Sequence, residues 1–337
     1  MTDQRIELAH GGGGRLSREL IENEILPRFG DGPLRGLPDS ATLPASPGGL
    51  ILTTDSFVVQ PLEFPGGNIG SLAVHGTVND LAVSGGRPLW LSLGLIIEEG
   101  LPLPRLRRIL DAVRAAAAAS GVAVATGDTK VVGRGQCDGL YLNTAGIGAP
   151  LPGFRLDPER IAAGDAVLAS GPLGDHGMAV LAQREGIDIL NGPASDSAPV
   201  HRLVLAAQPW AESVRFMRDP TRGGAAAVLT ELVANRPLSI VLRESDLPFS
   251  PGARAVAELL GLDLLHSASE GRVLLLCDPA AAAPILAAWR ALPEGRGAAA
   301  IGQVARAAPV GCVLLETCAG GRRLVDAPRG ELLPRIC

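Results

Sequence analysis

The sequence predicts an α+β protein, mixed α/β in character and divided into two domains. Three observations carry that prediction. The chain has 337 residues, more than the roughly 100–200 of a typical single domain. Its composition, 47% hydrophobic and 19% charged, supplies a core for each domain and excludes general disorder. Finally, short strand-like runs and helix-spaced runs alternate along most of its length.

Taken in order, Ser17–Phe29 has helical spacing and Gly30–Gly49 reads as a Pro/Gly-rich loop. Ile51–Thr54 reads as a buried strand with Asp55 at its end, and Asn68–Gly85 as a helix of small residues suited to close packing. Leu89–Ile97 is apolar on both faces, as a central strand is. Leu106, Ile109, Leu110 and Val113 set a helix over Arg105–Ser120, stopped by Gly121. Val122–Ala125 is a short strand emptying into Thr126-Gly-Asp-Thr-Lys130, and Leu140–Ile147 is another strand. The second half opens with a turn-like segment, Leu156–Gly164, and a strand at Ala166–Ser170. Helices follow near Gly177–Glu185, Ala198–Gln208, Gly223–Ala234 and Ala281–Leu292, with strands at Leu238–Leu242 and Arg272–Cys277. Cys312–Glu316 and Arg322–Asp326 flank a Gly-Gly turn as a hairpin. The expected division is a Gly-rich N-terminal segment (1–40), a first domain (41–152), a second domain (153–326) and a mobile tail (327–337).

Charge and composition narrow the function. A net charge of −5 argues against nucleic-acid binding, which leaves a basic footprint. The most apolar run, Leu89–Ile97, falls short of the ~20 residues that cross a bilayer. No secretory signal is visible in Met1–His10, and five widely spaced Cys do not suggest a disulfide framework. A reduced, cytoplasmic protein is expected.

Every basic residue is Arg except Lys130. Arg replaces Lys freely on a solvated face, but not where a compact ammonium, or one able to lose its proton, is needed. Lys130 is therefore a candidate functional residue. Asp55, Asp80 and Asp128 stand at expected element ends, where carboxylates can hold Mg²⁺ on phosphate oxygens or simply cap turns. The Gly11–Gly14 run is able to wrap a phosphate, but no Lys-Ser/Thr follows to make a Walker A loop. Asp219-Pro-Thr-Arg-Gly-Gly224 precedes a helix and offers an anion-friendly N-terminus, while Ser269-Glu270-Gly271 precedes a strand. Cys337 ends the chain behind a segment without periodicity, which suits a thiol that carries a group between two sites.

Several motifs together resemble the PurM-like ATP-binding superfamily. They are Thr54-Asp-Ser, Phe64-Pro-Gly-Gly-Asn-Ile-Gly, Gly76-Thr-Val-Asn-Asp-Leu-Ala-Val-Ser-Gly, Gly127-Asp-Thr-Lys-Val-Val, Asn143-Thr-Ala-Gly, Gly174-Asp-His-Gly, Asp219-Pro-Thr-Arg-Gly-Gly and Ser269-Glu-Gly. The match runs from Leu8-Ala-His-Gly to the last residue, and Pro334-Arg-Ile-Cys337 narrows it to the HypE family of hydrogenase maturation factors.

The resemblance implies a PurM-like architecture, with an ATP-binding N-terminal domain through which the chain forms a homodimer. It implies a carbamoyl dehydratase: a carbamoyltransferase, HypF, loads a carbamoyl group onto Cys337, and ATP drives its dehydration to a thiocyanate. The cyano group then passes to iron on a HypC–HypD complex as a cyanide ligand of [NiFe]-hydrogenase. By the same resemblance Asp55, Asp80 and Asp128 hold Mg²⁺ on ATP, with Asn79 and Thr129 beside them. Gly12, Gly13, Asp219 and Arg222 touch phosphates, Cys337 is the covalent acceptor, and Lys130 and Glu270 share intermediate stabilisation and proton removal. Which of those two is the base stays open: a charged Lys clamps, and only a neutral one accepts a proton. The alternatives are a PurM-like enzyme acting on a free small molecule, and a non-catalytic thiol carrier or metal chaperone.

Overall fold

A computed structural model describes residues 14–20, 22, 41–43, 49–306 and 311–327. Within these, α1 (Arg15–Leu20) is the described part of the first expected helix. The expected Gly30–Gly49 loop contains a strand, β1 (Ala41–Leu43), paired antiparallel with β2 (Leu50–Phe57). Alternation along β2 buries Ile51, Thr53 and Phe57 and exposes Leu52, Thr54 and Ser56. Asp55 thus lies inside the strand, not after it. β3 (Glu63–Phe64) and β4 (Gly67–Asn68) form a small ribbon.

Asn68 caps α2 (Ile69–Val83): its side chain accepts from Gly70 and Ser71 N–H, and Ser71 Oγ returns the bond to the Asn68 N–H. Nearly all of α2 is buried, because it packs in the cores of both halves and its buried Thr77 and Asn79 side chains are hydrogen-bonded. Its first three turns pack in the N-terminal core with β5 (Gly86–Glu98) and α3 (Leu103–Ser120). Its last residues, Ala82 and Val83, belong to a core of the other half. One helix therefore ties the halves together. Gly121 ends α3 in the left-handed conformation, φ 67°.

The expected short strand after Gly121 is longer: β6 runs Ala123–Val132. Gly127 and Asp128 read as turn residues, but parallel pairing with β5 carries the strand through them. β7 (Leu140–Pro150) completes a five-stranded sheet, order β1-β2-β7-β5-β6. Helices α2 and α3 cover one face of it.

The second half is built on a seven-stranded sheet, order β14-β13-β10-β12-β8-β11-β9. Its strands are β8 (Ala166–Ala169), β9 (Val214–Arg218), β10 (Leu238–Arg243), β11 (Leu274–Cys277), β12 (Ala299–Arg306), β13 (Val313–Glu316) and β14 (Arg322–Val325). Its helices are α4 (Asp175–Arg184), α5 (His201–Ala207), α6 (Gly224–Val233), α7 (Pro251–Leu260) and α8 (Pro279–Arg290). Helix α6 packs on one face, and α5 and α8 on the other, where Trp289 Nε1 donates to Leu203 O at 2.9 Å. Three elements are absent from the sequence expectation. β9 is an edge strand interrupted by Arg215 and ended by Arg218. α7 begins on a Ser250 cap and Pro251. β12, rich in Ala and Gly, is held by β10 and β8 on either side rather than by its own propensity.

Candidate active site

Asp55 and Asp80 come together where β2 lies against α2. Thr53 Oγ1 donates to Asp80 Oδ2 at 2.9 Å, and Asp55 Oδ1 accepts from Ser56 N–H at 2.8 Å. A Cβ added at Gly76, one turn before Asp80, would stand 3.6 Å from Asp55 Oδ2 and 2.9 Å from the Phe57 ring. The missing side chain is what lets the helix settle here. Both carboxylates are partly exposed.

Asp128, Thr129 and Lys130 sit in β6 opposite Gly94, Leu95 and Ile96. Ile96 in turn opposes Tyr141, whereas Asp55 opposes the buried Thr144. Lys130 is exposed in the row of Ile96, on the face of the sheet away from α2. The lysine and the Asp55–Asp80 pair therefore occupy opposite faces within one chain. Among the described residues no group of three His, Cys, Asp or Glu gathers as a metal cage. Two hard-oxygen carboxylates fit Mg²⁺, which binds through one or two carboxylates and substrate phosphates.

On the other side, loops of the second half converge on Glu270. Gly174 N–H donates to Ser269 Oγ at 2.7 Å, Ser267 Oγ to Gly174 O at 2.9 Å, and Ser269 N–H to Pro220 O at 2.9 Å. These bonds join the start of α4, the Asp219–Gly224 loop and the Ser269–Gly271 loop. Asp219 and Glu270 are buried, while Arg222 is exposed. Gly223 has φ 74°, and no side chain caps α6, so side chains leave its first N–H groups to other acceptors.

A strap, Ser195–Val200, runs between these loops and α2. Ser195 N–H donates to Pro65 O at 2.7 Å, and its hydroxyl meets His176 Nδ1 at 2.7 Å. His75 Nδ1 lies 3.0 Å from Ser197 Oγ. Asn79 uses its whole amide here: Nδ2 donates to Ala198 O (3.1 Å) and Glu270 O (2.9 Å), and Oδ1 accepts from Val200 N–H (2.8 Å). Asn79, which the resemblance sets beside the nucleotide, spends its amide on bonds that tie the two halves together. Asp196 Oδ1 accepts from Glu270 N–H at 3.0 Å, and its Oδ2 faces Arg272 Nε at 3.3 Å. Burial pushes the Asp196 carboxyl up to about 6, against the pull of Arg272. Burial also pushes His176 down to about 3 and His75 down to about 4.

Sequence reasoning names Asp55, Asp80, Asp219 and Glu270 but misses the strap. Asp196 looks like any turn Asp, and no local signal separates it. His75, which carries no motif signal in the sequence, is a strap contact. Cys277 is core, its thiol pushed up to about 12 by burial. Gly12, Gly13 and Cys337 lie outside the described residues.

Residues 38–149 match the AIR synthase related protein N-terminal domain, and residues 162–312 its C-terminal domain. A Bradyrhizobium diazoefficiens protein named carbamoyl dehydratase HypE is 47% identical, over 98% of this chain and 96% of its own. The chain belongs to the HypE family. Two solved HypE structures share its fold. One, of HypE in complex with ATP, has TM-score 0.82 at 40% identity and covers 99% of this chain and 100% of its own. The other, of a HypE–HypF complex, has TM-score 0.87 at 39% identity, covering 92% and 99%. Membership of the HypE family brings the two halves described here under one fold, joined where Asn79 of α2 meets the Glu270 carbonyl.

Proposed function

We propose that this chain is the ATP-dependent carbamoyl dehydratase of hydrogenase maturation, with the substrate carried as an S-carboxamide on Cys337. One observation carries the reading. Asn79 and Asp80 are successive residues of α2, and they reach Glu270 O and Thr53 Oγ1 respectively. A carboxylate suited to the nucleotide side and a buried carboxylate suited to proton removal thus share one seam between the halves.

The chemistry follows from the groups. The carboxamide oxygen is a poor leaving group; its bond to the γ-phosphorus of ATP, with release of ADP, makes it a good one. Removal of the two nitrogen protons and breakage of the C–O bond release inorganic phosphate and leave S–C≡N. We assign proton removal to Glu270, whose backbone is fixed, and charge neutralisation to Lys130. Asp55 and Asp80 would hold Mg²⁺, which when bound neutralises phosphate charge; Asp128 shares the register parity of Lys130 in β6 and would join them only from a second copy of the chain. Thr129, Gly12, Gly13, Asp219 and Arg222 would contact ATP.

Reach supports Cys337 as the carrier. Asp326 O meets His266 Nε2 at 3.1 Å, and His266 precedes Glu270 by four residues. The eleven residues 327–337 extend over roughly 35 Å, enough to bring the thiol to that seam.

As partners the reading takes HypF for loading and HypC–HypD as the cyanide acceptor, in the cytoplasm. Four described cysteines, Cys137, Cys277, Cys312 and Cys318, are free thiols, as a reducing compartment requires. No helix among the described residues is long and apolar enough to cross a membrane. A homodimer through the open face of the five-stranded sheet is supported by Leu52, Ile147 and Trp90, which form one row across β2, β7 and β5. Leu52 and Trp90 are exposed there.

Mass spectrometry of the C-terminal peptide tests the function. After incubation with HypF, carbamoyl phosphate, Mg²⁺ and ATP, Cys337 gains a carbamoyl group that loses water only as ATP is hydrolysed. Cys337→Ser gains nothing. An unmodified Cys337 beside demonstrably active HypF would favour the enzyme of a free small molecule instead.

A further inference from the structure

The Glu270 residue is held from both sides by two different side chains. Its N–H is taken by Asp196 Oδ1 at 3.0 Å, and its carbonyl by Asn79 Nδ2 at 2.9 Å. Those two backbone groups flank the Glu270 Cα, so the bonds fix both of its soft dihedrals. Glu270 itself is 2% exposed.

The holding groups are themselves held. Asp196 is fully enclosed beside Arg272, whose Nε donates to Pro172 O at 2.9 Å and whose Nη1 donates to Gly271 O and Glu294 O at 3.3 and 3.2 Å. Asn79 is anchored by Val200 N–H and Ala198 O, and the strap that bears Asp196 is anchored on Pro65, His75 and His176. Next in sequence, a Cβ at Gly271 would stand 1.9 Å from Asp196 O and 2.8 Å from Ala198 N. The strap therefore lies directly against the chain at Glu270. Asn79 also precedes Asp80, so the same helical turn that carries the nucleotide-side carboxylate fixes the Glu270 carbonyl.

We propose that Asp196 and Asn79 are positioning residues: together they clamp the Glu270 backbone and set its carboxylate at a fixed place relative to Asp80. The proposal rests on Glu270 acting as the base in the reading above. It gives the buried Asp196 and the fully engaged Asn79 amide a task in the reaction, without contact to ATP or to the carboxamide.

The test uses the full chain, carbamoylated on Cys337 by HypF, and follows single-turnover dehydration against ATP concentration. Releasing one end of the clamp with Asp196→Ala or Asn79→Ala lowers the maximal rate about 100-fold, as misplacement of a catalytic group does. The half-saturating ATP concentration stays within about three-fold. Asp196→Asn keeps an acceptor for the Glu270 N–H and recovers most of the rate. In a Glu270→Ala background neither alanine substitution lowers the residual rate further, because the group they position is gone.

A full rate in both alanine variants overturns the clamp. So does a raised ATP requirement at unchanged maximal rate, or an equal further loss in the Glu270→Ala background. If one alanine variant fails to fold, the other, acting on the opposite end, still decides. A Glu270→Ala protein that dehydrates at the wild-type rate removes the base assignment, and the clamp with it. Inactive Glu270→Ala beside fully active Asp196→Ala and Asn79→Ala removes the clamp alone.

Discussion

The two sides of the seam are built on opposite principles. On the N-terminal side, Asp55 and Asp80 are partly exposed, and behind them Lys130 stands on the opposite, open face of the same sheet. On the C-terminal side, Glu270, Asp196 and Ser269 are buried, and their neighbouring peptide groups are bonded to named partners. In the proposed function the difference follows from what each side must meet. Groups that meet a large, highly charged nucleotide have to be open to it, and their geometry is completed by the ligand. A group that removes protons from a small amide gains from being fixed in advance, in a place that excludes water. Substitutions on the open side should therefore act on nucleotide chemistry, and those on the buried side on rate and fold together.

The largest effect expected is at Glu270. Glu270→Ala should lower dehydration of carbamoylated Cys337 by about 10²–10⁴ while ATP binding, read by calorimetry, is retained. Loss of ATP binding instead would place Glu270 on the nucleotide side and dissolve the contrast. Lys130→Arg comes next. It keeps the positive charge but changes its shape and donor pattern, so ATP should bind and dehydration should fail in the same mass-spectrometric assay. A fully active Lys130→Arg protein would mean that the only lysine of the chain is an accident of composition.

The open side was far more legible in the sequence than the buried one. Asp55, Asp80, Asp128 and Lys130 announce themselves by residue type, and α2 by its small residues. Gly121 was legible as a stop because only a left-handed residue continues the chain there. What failed on this side was the extent of β6. Gly127 and Asp128 have turn chemistry, and only the neighbouring strand β5 overrules it. The strap carries no comparable signal. Ser195-Asp-Ser-Ala-Pro has neither period nor cap pattern, and its partners Pro65, His75 and Asn79 lie more than a hundred positions away along the chain. Burial of Asp196 is a property of the assembled halves, so no local reading reaches it.

Gly271→Ala should sharpen the comparison at intermediate size. A methyl group there meets the Asp196 carbonyl at 1.9 Å, backbone that has no rotamer to yield. Overpacking of this kind costs about 3 kcal/mol, and it falls on the buried side alone. Denaturant unfolding should show that loss. A Gly271→Ala protein of unchanged stability would mean that the strap yields easily and fixes little.

The smallest effect is the pH dependence of stability, and its sign is set by the buried side. His75 and His176 are held at about 4 and about 3, below the ordinary 6.5, because burial disfavours their charged forms. The unfolded chain takes up those protons from pH 6.5 downward and the folded chain does not. Their contribution to stability is complete above that pH and is lost as pH falls toward 4 and 3. Asp196 acts the other way. Held at about 6 against an ordinary 3.8, it takes up its proton earlier in the folded chain, so its contribution is present at low pH and lost as pH rises through 6. Between pH 4 and 6 the two histidines outweigh the one aspartate, and stability should fall with acid. Each fully titrating proton is worth about 1.4 kcal/mol per pH unit. His75→Asn should flatten the fall of the melting midpoint between pH 7 and 5, and Asp196→Asn should steepen it. Parallel curves for both variants would show that these groups are not enclosed as the strap requires.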